Sequence, residues 1–202
     1  MIKNVIFDIG NVLVRFDPYK YVTEYGYDKE TTEKVFKLVF LDKRWPELDR
    51  GTLLGEDYMK SLIETNPKYK KEITETFSNW YNMLEIKTES VEFLKELKEK
   101  GYKIYILSNF AGKEYERLEK ENEFFKLADG KVISYSVKKI KPEREIYELL
   151  LDKYDLKAEE CVFLDDLESN INGAKNVGIH GIVFKDLNSA KAEFESIIKE
   201  KF

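Results

Sequence analysis

The apolar positions of this chain fall into short runs set at wide intervals. "NVIF" (4–7), "YKIYIL" (102–107), "CVFL" (161–164) and "GIVF" (181–184) are rich in Val, Ile, Phe and Tyr, and "KVIS" (131–134) is a weaker run of the same kind. Unbroken β-branched and aromatic runs of this length predict strands buried on both faces. Between them the period lengthens to that of a helix. "TESVEFLKELKEKG" sets Val91, Leu94 and Leu97 on one face, with Thr88 or Ser90 as a cap and Gly101 as the stop. "PEREIYELLLDKY" puts Pro142 at a first helical position and turns Ile146, Leu149 and Leu150 inward. Strand alternating with helix in this way predicts an α/β fold, a parallel sheet covered by helices.

One segment breaks the alternation. From about Pro18 to Glu85 the residues are helical, aromatic and charged, with no convincing strand. That is too long for a loop in a compact domain and predicts a helical insertion after the first strand. The expected division is therefore a core of residues 1–17 and 86–202 and an inserted cap of residues 18–85.

Composition narrows the function classes. Lys+Arg 34 against Asp+Glu 39 leave a net charge of −5 on 202 residues, which gives no electrostatic footprint for nucleic acid or an anionic membrane. The single cysteine, Cys161, lies in "CVFL" and reads as a small buried hydrophobe. No stretch approaches the length of a membrane span, and the N-terminus lacks a basic-then-apolar leader. The expectation is a reduced, cytoplasmic protein. His180 is the only histidine, which excludes a histidine-rich zinc site and gives a triad little support. Neither a P-loop nor a dinucleotide fingerprint occurs.

Ligands of open parallel sheets bind outside the carboxyl ends of the strands. Those ends carry Asp8, then Ser108-Asn109, then Lys141 ahead of its helix, then Asp165-Asp166. Each has a local explanation as a turn, a surface lysine or a helix cap. Jointly they place acid, hydroxyl, base and acid pair on one rim. Converging carboxylates repel unless a cation holds them, and an oxygen-only set suits Mg²⁺. A hydroxyl, an amide and an ammonium supply donors for phosphoryl oxygens, and a carboxylate can attack phosphorus.

"FDIGNVLV", "ILSN", "KIKP" and "FLDDLESNINGAKNVGI" resemble, in order, the successive motifs of the haloacid dehalogenase-like hydrolase superfamily. The flavour is that of bacterial sugar-phosphate phosphatases similar to α-D-glucose-1-phosphate phosphatase. The resemblance implies a three-layer Rossmann-like core with a first-type helical cap. It also implies an Mg²⁺-dependent phosphatase acting on a small phosphorylated molecule, such as a hexose 1-phosphate, through an aspartyl-phosphate. Asp8 would be the nucleophile, Ser108 and Asn109 phosphate-binding residues, and Lys141 the partner of both Asp8 and the phosphate. The metal would be held by Asp8, the Gly10 carbonyl and Asp166, with Asp165 bound through water or in support. Asn170 would hold the loop presenting that pair.

Gly10 departs from the family pattern. Most phosphatases of the superfamily carry there a second aspartate that protonates the leaving oxygen, a role worth roughly 10²–10⁴ in rate. Three readings follow: a phosphatase in which Asp17, another group or water replaces the acid; a metal-free haloacid dehalogenase; or a catalytically weak binding or regulatory protein. Substrate choice is expected to lie in the cap, with Arg50 of "ELDRGTL" either as the contact residue or paired on the cap surface with Asp49 or Glu47. The aromatics Phe16, Tyr19, Tyr21, Tyr25 and Trp45 read as packing.

Overall fold

The computed structural model describes residues 1–199. In chain order the first strand β1 (Asn4–Phe7) leads through a turn to β2 (Val14–Arg15), then five helices follow: α1 (Pro18–Thr23), α2 (Lys29–Phe40), α3 (Trp45–Arg50), α4 (Gly55–Thr65) and α5 (Lys70–Ser78). The chain returns through β3 (Glu85–Ile86) to α6 (Thr88–Glu99), β4 (Lys103–Ser108), α7 (Gly112–Glu121), β5 (Gly130–Ile133) and α8 (Ser134–Val137). It ends with α9 (Arg144–Tyr154), β6 (Cys161–Asp165), α10 (Glu168–Lys175), β7 (His180–Val183) and α11 (Leu187–Lys199).

The five strands expected from the apolar runs form one parallel sheet, ordered β5-β4-β1-β6-β7. β1 is central, and its four residues are buried on both faces. Val5, Phe7, Ile104, Ile106, Val162 and Leu164 face the layer containing α6 and α11. Ile6, Tyr105, Leu107 and Phe163 face α9 and α10. Burying each such side chain contributes about 1.5–3 kcal/mol, so the two-sided sheet supplies the rigid frame of the molecule. The fold is α/β in three layers. Cys161 is buried in the second of these cores, as its surroundings in sequence imply.

Strand ends differ from the expectation by one residue, and the shift matters. β4 runs on through Ser108 and β6 through Asp165, so both polar groups are fixed by strand pairing. Pro142 does not begin a helix: α9 starts at Arg144 with Glu143 ahead of it, which leaves Lys141 and Pro142 in a loop. Gly173 of α10 lets that loop approach, since a Cβ there would lie 2.8 Å from the Pro142 carbonyl oxygen.

The stretch from Pro18 is helical as its composition predicts. It leaves and rejoins the sheet through the antiparallel pair β2–β3. Its interior is aromatic: Phe16, Phe40, Trp45, Tyr58 and Trp80 meet at centroid distances of 5.1 to 6.4 Å. Tyr21 and Tyr25 donate to the carbonyls of Thr76 and Glu75, which accounts for them as packing residues. Asp17 accepts from the Lys20 amide as the cap of α1, so it serves the helix and not the strand-end site. The end of α3 is pinned to the sheet domain. Gly51, at φ +72°, brings its carbonyl to Lys138 Nζ at 2.5 Å, and a side chain there would collide with Tyr135. Ser134 Oγ donates to the Asp49 carbonyl.

Candidate active site

The parallel register puts Asp8 just past the end of β1, where its amide donates to the Leu164 carbonyl of β6 at 2.9 Å. Ser108 ends the neighbouring strand on one side and Asp165 the neighbouring strand on the other. Lys141 reaches in from the loop before α9. Its Nζ lies 2.8 Å from Asp8 Oδ1 and 2.6 Å from Asp165 Oδ2, with the side chain 1% exposed. Asp8, Asp165 and Asp166 each offer a carboxylate oxygen within 4.8 Å of the others.

Each charged group is held by others. Asn109 clamps the Lys141 main chain, accepting from its N–H at 2.8 Å and donating to its carbonyl at 2.9 Å. Asp165 accepts from Lys141, from Asn170 Nδ2 through both oxygens at 3.0 Å, and from the Leu167 amide at 2.8 Å. Its lone pairs are largely committed to protein donors. Asp166 accepts from Asn11 Nδ2 through Oδ2 at 2.9 Å. Asn11, at φ +54°, is the piece sequence reasoning passed over. It ties the loop after β1 to Asp166, to the Phe16 amide and, through its carbonyl, to Lys87 Nζ.

Burial dominates the electrostatics. It works against the Lys141 ammonium, yet Asp8 and Asp165 outweigh it and hold the lysine above its ordinary pKa. Burial pushes Asp8 up; Lys141 offsets part of that, and Asp165 adds to it. Asp166 is also raised by burial, with the Asn11 bond pulling the other way. Ser108 Oγ is buried with no formed hydrogen bond, near enough to Asp8 to favour its ionised form. Crowded carboxylates, a spare hydroxyl and spare oxygen lone pairs make a donor set suited to a hard cation such as Mg²⁺.

Residues 2–178 match the model of haloacid dehalogenase-like hydrolases. The chain belongs to this family. Among curated relatives, the sesquiterpene phosphatase astK of Aspergillus oryzae is 26% identical, over 97% of this chain and 96% of its own length. The phosphorylated carbohydrates phosphatase of Thermotoga maritima is 30% identical, over 95% and 90% of the two chains. Several longer relatives are matched over about a third of their length. Among solved structures, a family enzyme of Bacteroides thetaiotaomicron in complex with magnesium and inorganic phosphate superposes with a TM-score of 0.71. It is 25% identical, and the match covers 92% of this chain and 97% of that one.

Family membership directs attention to Gly10, where this chain departs from the family pattern. A Cβ at Gly10 would meet only Asp8 Oδ2, at 3.9 Å, so the missing carboxylate is not excluded by space. Gly10 and Asn109 instead border a cavity of about 90 Å³ that is also lined by α3. Asp49 of α3 lines it, and burial pushes that carboxyl up to about 7. Lys141 opposes this shift, Asp8 reinforces it, and the Trp45 indole one turn earlier opposes it again. The signal was present in the sequence: Trp45 and Asp49 are four residues apart and share a helix face. Arg50, one residue on, points elsewhere. Its guanidinium forks onto Glu143 at 2.8 and 2.6 Å, with Glu47 at 3.5 Å, an ion pair that docks α3 on the loop before α9. Phe16 and Trp45, read mainly as packing, also line the cavity.

Proposed function

We propose that the protein is an Mg²⁺-dependent phosphatase that hydrolyses the phosphomonoester of a small molecule through an aspartyl-phosphate on Asp8. The observation that carries this reading is Asp8 at the end of the central strand, paired to a buried lysine and grouped with Asp165 and Asp166. The same trio argues against a metal-free dehalogenase, which has no use for three converging carboxylates.

One Asp8 oxygen attacks phosphorus as the bond to the leaving oxygen breaks. Lys141 neutralises charge on Asp8 and on the phosphoryl oxygens, and Ser108 donates its unused hydroxyl to one of them. Asn109 acts by holding Lys141 in place. Asp8, Asp166 and the Gly10 carbonyl would hold the metal, with Asp165 in support because its oxygens already serve Lys141, Leu167 and Asn170. When bound, Mg²⁺ supplies charge to the phosphoryl oxygens and lessens repulsion among the carboxylates. Asp49 takes the part of the missing acid: it gives its proton to the leaving oxygen and recovers one from the water that then attacks phosphorus and frees Asp8. The helices α1–α5 act as a cap that brings this acid to the core. The carbohydrate and sesquiterpene phosphatases among the relatives frame two substrate classes, polyhydroxylated and apolar.

The test is phosphate release with Mg²⁺ and with EDTA, for wild type and Asp49→Asn. Wild-type release should vanish in EDTA and return with Mg²⁺. Asp49→Asn should lose about 10²–10³-fold on alkyl phosphates and much less on p-nitrophenyl phosphate, whose leaving group needs no proton. Release unaffected by EDTA would overturn the metal-dependent reading. Equal losses on both substrates would remove Asp49 from the acid role.

Stability gives an independent reading of Asp49. Its folded pKa of about 7 exceeds the ordinary carboxyl value of 3.8, so its contribution to stability is full below the lower value and is lost as pH rises through the higher. In metal-free protein Asp49→Asn should therefore match wild type near the lower value and melt a few degrees higher above the upper one. A variant less stable than wild type in alkaline buffer would contradict that assignment.

A further inference from the structure

The cavity beyond Asp8 is walled by rings. Phe16, Trp45, Trp80 and Phe110 contact one another at centroid distances of 5.8 to 6.4 Å, and Val14 and Leu84 complete the apolar lining. Its polar members are Gly10, two residues after Asp8, Asn109, one after Ser108, and Asp49 of α3. Asn109 has both its polar atoms on the Lys141 main chain, and no basic residue lines the space. A hydroxyl-rich group placed there would leave its water hydrogen bonds behind and find almost none in exchange. An apolar group has nothing to lose on that account and gains contact with the rings. The cavity, of about 90 Å³, has room for a small ring or short branched chain.

We propose that the substrate is the phosphomonoester of a small apolar alcohol, aromatic or branched aliphatic, and not of a sugar. This rests on the phosphatase reading above and names what leaves. Asp49, at the boundary between the polar and apolar ends, stands where the oxygen of such an alcohol departs, and an alkoxide without acidic character needs a proton more than a sugar's anomeric oxygen does.

The experiment compares benzyl phosphate, 3-methylbutyl phosphate, glucose 6-phosphate and glucose 1-phosphate on the wild-type enzyme with Mg²⁺. Acetyl phosphate is the control, because its small activated group needs neither the cavity nor the acid. The first three esters share a primary alkoxide leaving group, so differences among them report the cavity. Benzyl and 3-methylbutyl phosphate should exceed both glucose phosphates by at least about tenfold in kcat/KM, mainly through KM. A preference for benzyl alone assigns the wall to aromatic alcohols; equal rates for the two assign it to apolar shape. Trp45 and Trp80 are the only two tryptophans of the chain, and both line the cavity, so intrinsic fluorescence should change and saturate with benzyl phosphate on Asp8→Asn. Glucose phosphates turned over as well as the apolar esters would overturn the proposal while acetyl phosphate hydrolysis keeps the phosphatase reading. A flat fluorescence titration overturns it too. Failure on acetyl phosphate as well would instead sink the phosphatase reading.

Discussion

Asp8→Asn should abolish phosphate release, by about 10⁴-fold or more, in a protein that still melts within a few degrees of wild type. The amide has the shape of the carboxylate but cannot attack phosphorus. It also gives up the bond to Lys141 that the ionised group makes at 2.8 Å. Two features soften that loss. Lys141 keeps Asp165 at 2.6 Å, and burial already disfavours the charged form of Asp8. The neutral side chain therefore removes an ion pair and a desolvation cost together. Far-UV circular dichroism and a melting curve beside the rate measurement separate lost chemistry from lost fold. Activity within tenfold of wild type would remove Asp8 from the centre of the account.

Lys141→Met should be the more damaging change to the fold. It leaves Asp8 and Asp165, both buried, facing each other without the ammonium that now touches both. Breaking a buried ion pair from one side costs about 3–5 kcal/mol, a large share of the stability of a domain. Asp8, already raised by burial, can relieve itself only by taking up a proton, so its folded pKa rises further above the unfolded one. Stability tied to a raised carboxyl pKa is full at low pH and lost as pH rises through the folded value. The variant should therefore approach wild type in acid and fall increasingly below it toward alkaline pH, and turnover should be lost throughout. Urea melts at several pH values measure this. A constant difference between the two proteins across pH would mean that Lys141 is not compensating buried negative charge.

The sheet was legible because burial on both faces leaves a coarse mark. Runs such as Val5-Ile6-Phe7 and Val162-Phe163-Leu164 have no polar alternation to blur, and the polar residue ending each run stands where a parallel sheet puts its ligands. Asp8, Ser108, Lys141, Asp165 and Asp166 were named on that ground, and the fold brings them together. What the sequence hid depends on orientation. "ELDRGTL" offers Glu47, Asp49 and Arg50 within one turn, and donor chemistry favours the arginine. Docking of α3 on the loop before α9 reverses the choice, turning Arg50 to Glu143 and Asp49 to the cavity. Asn109 was read with Ser108 as serving the phosphate site, and its side chain forms the paired bonds that hold Lys141. Asn11 was passed over. Only contact between the loops after β1 and β6 makes it the residue that orients Asp166.

The central claim is that phosphorus passes through Asp8, and its most direct test is to catch it there. Wild-type enzyme turning over benzyl or acetyl phosphate with Mg²⁺ should be quenched in acid, digested and weighed by mass spectrometry. The account predicts a peptide carrying Asp8 that is heavier by one phosphoryl group, present during turnover and absent when substrate is exhausted. Steady phosphate release with the phosphoryl group on another residue would contradict it.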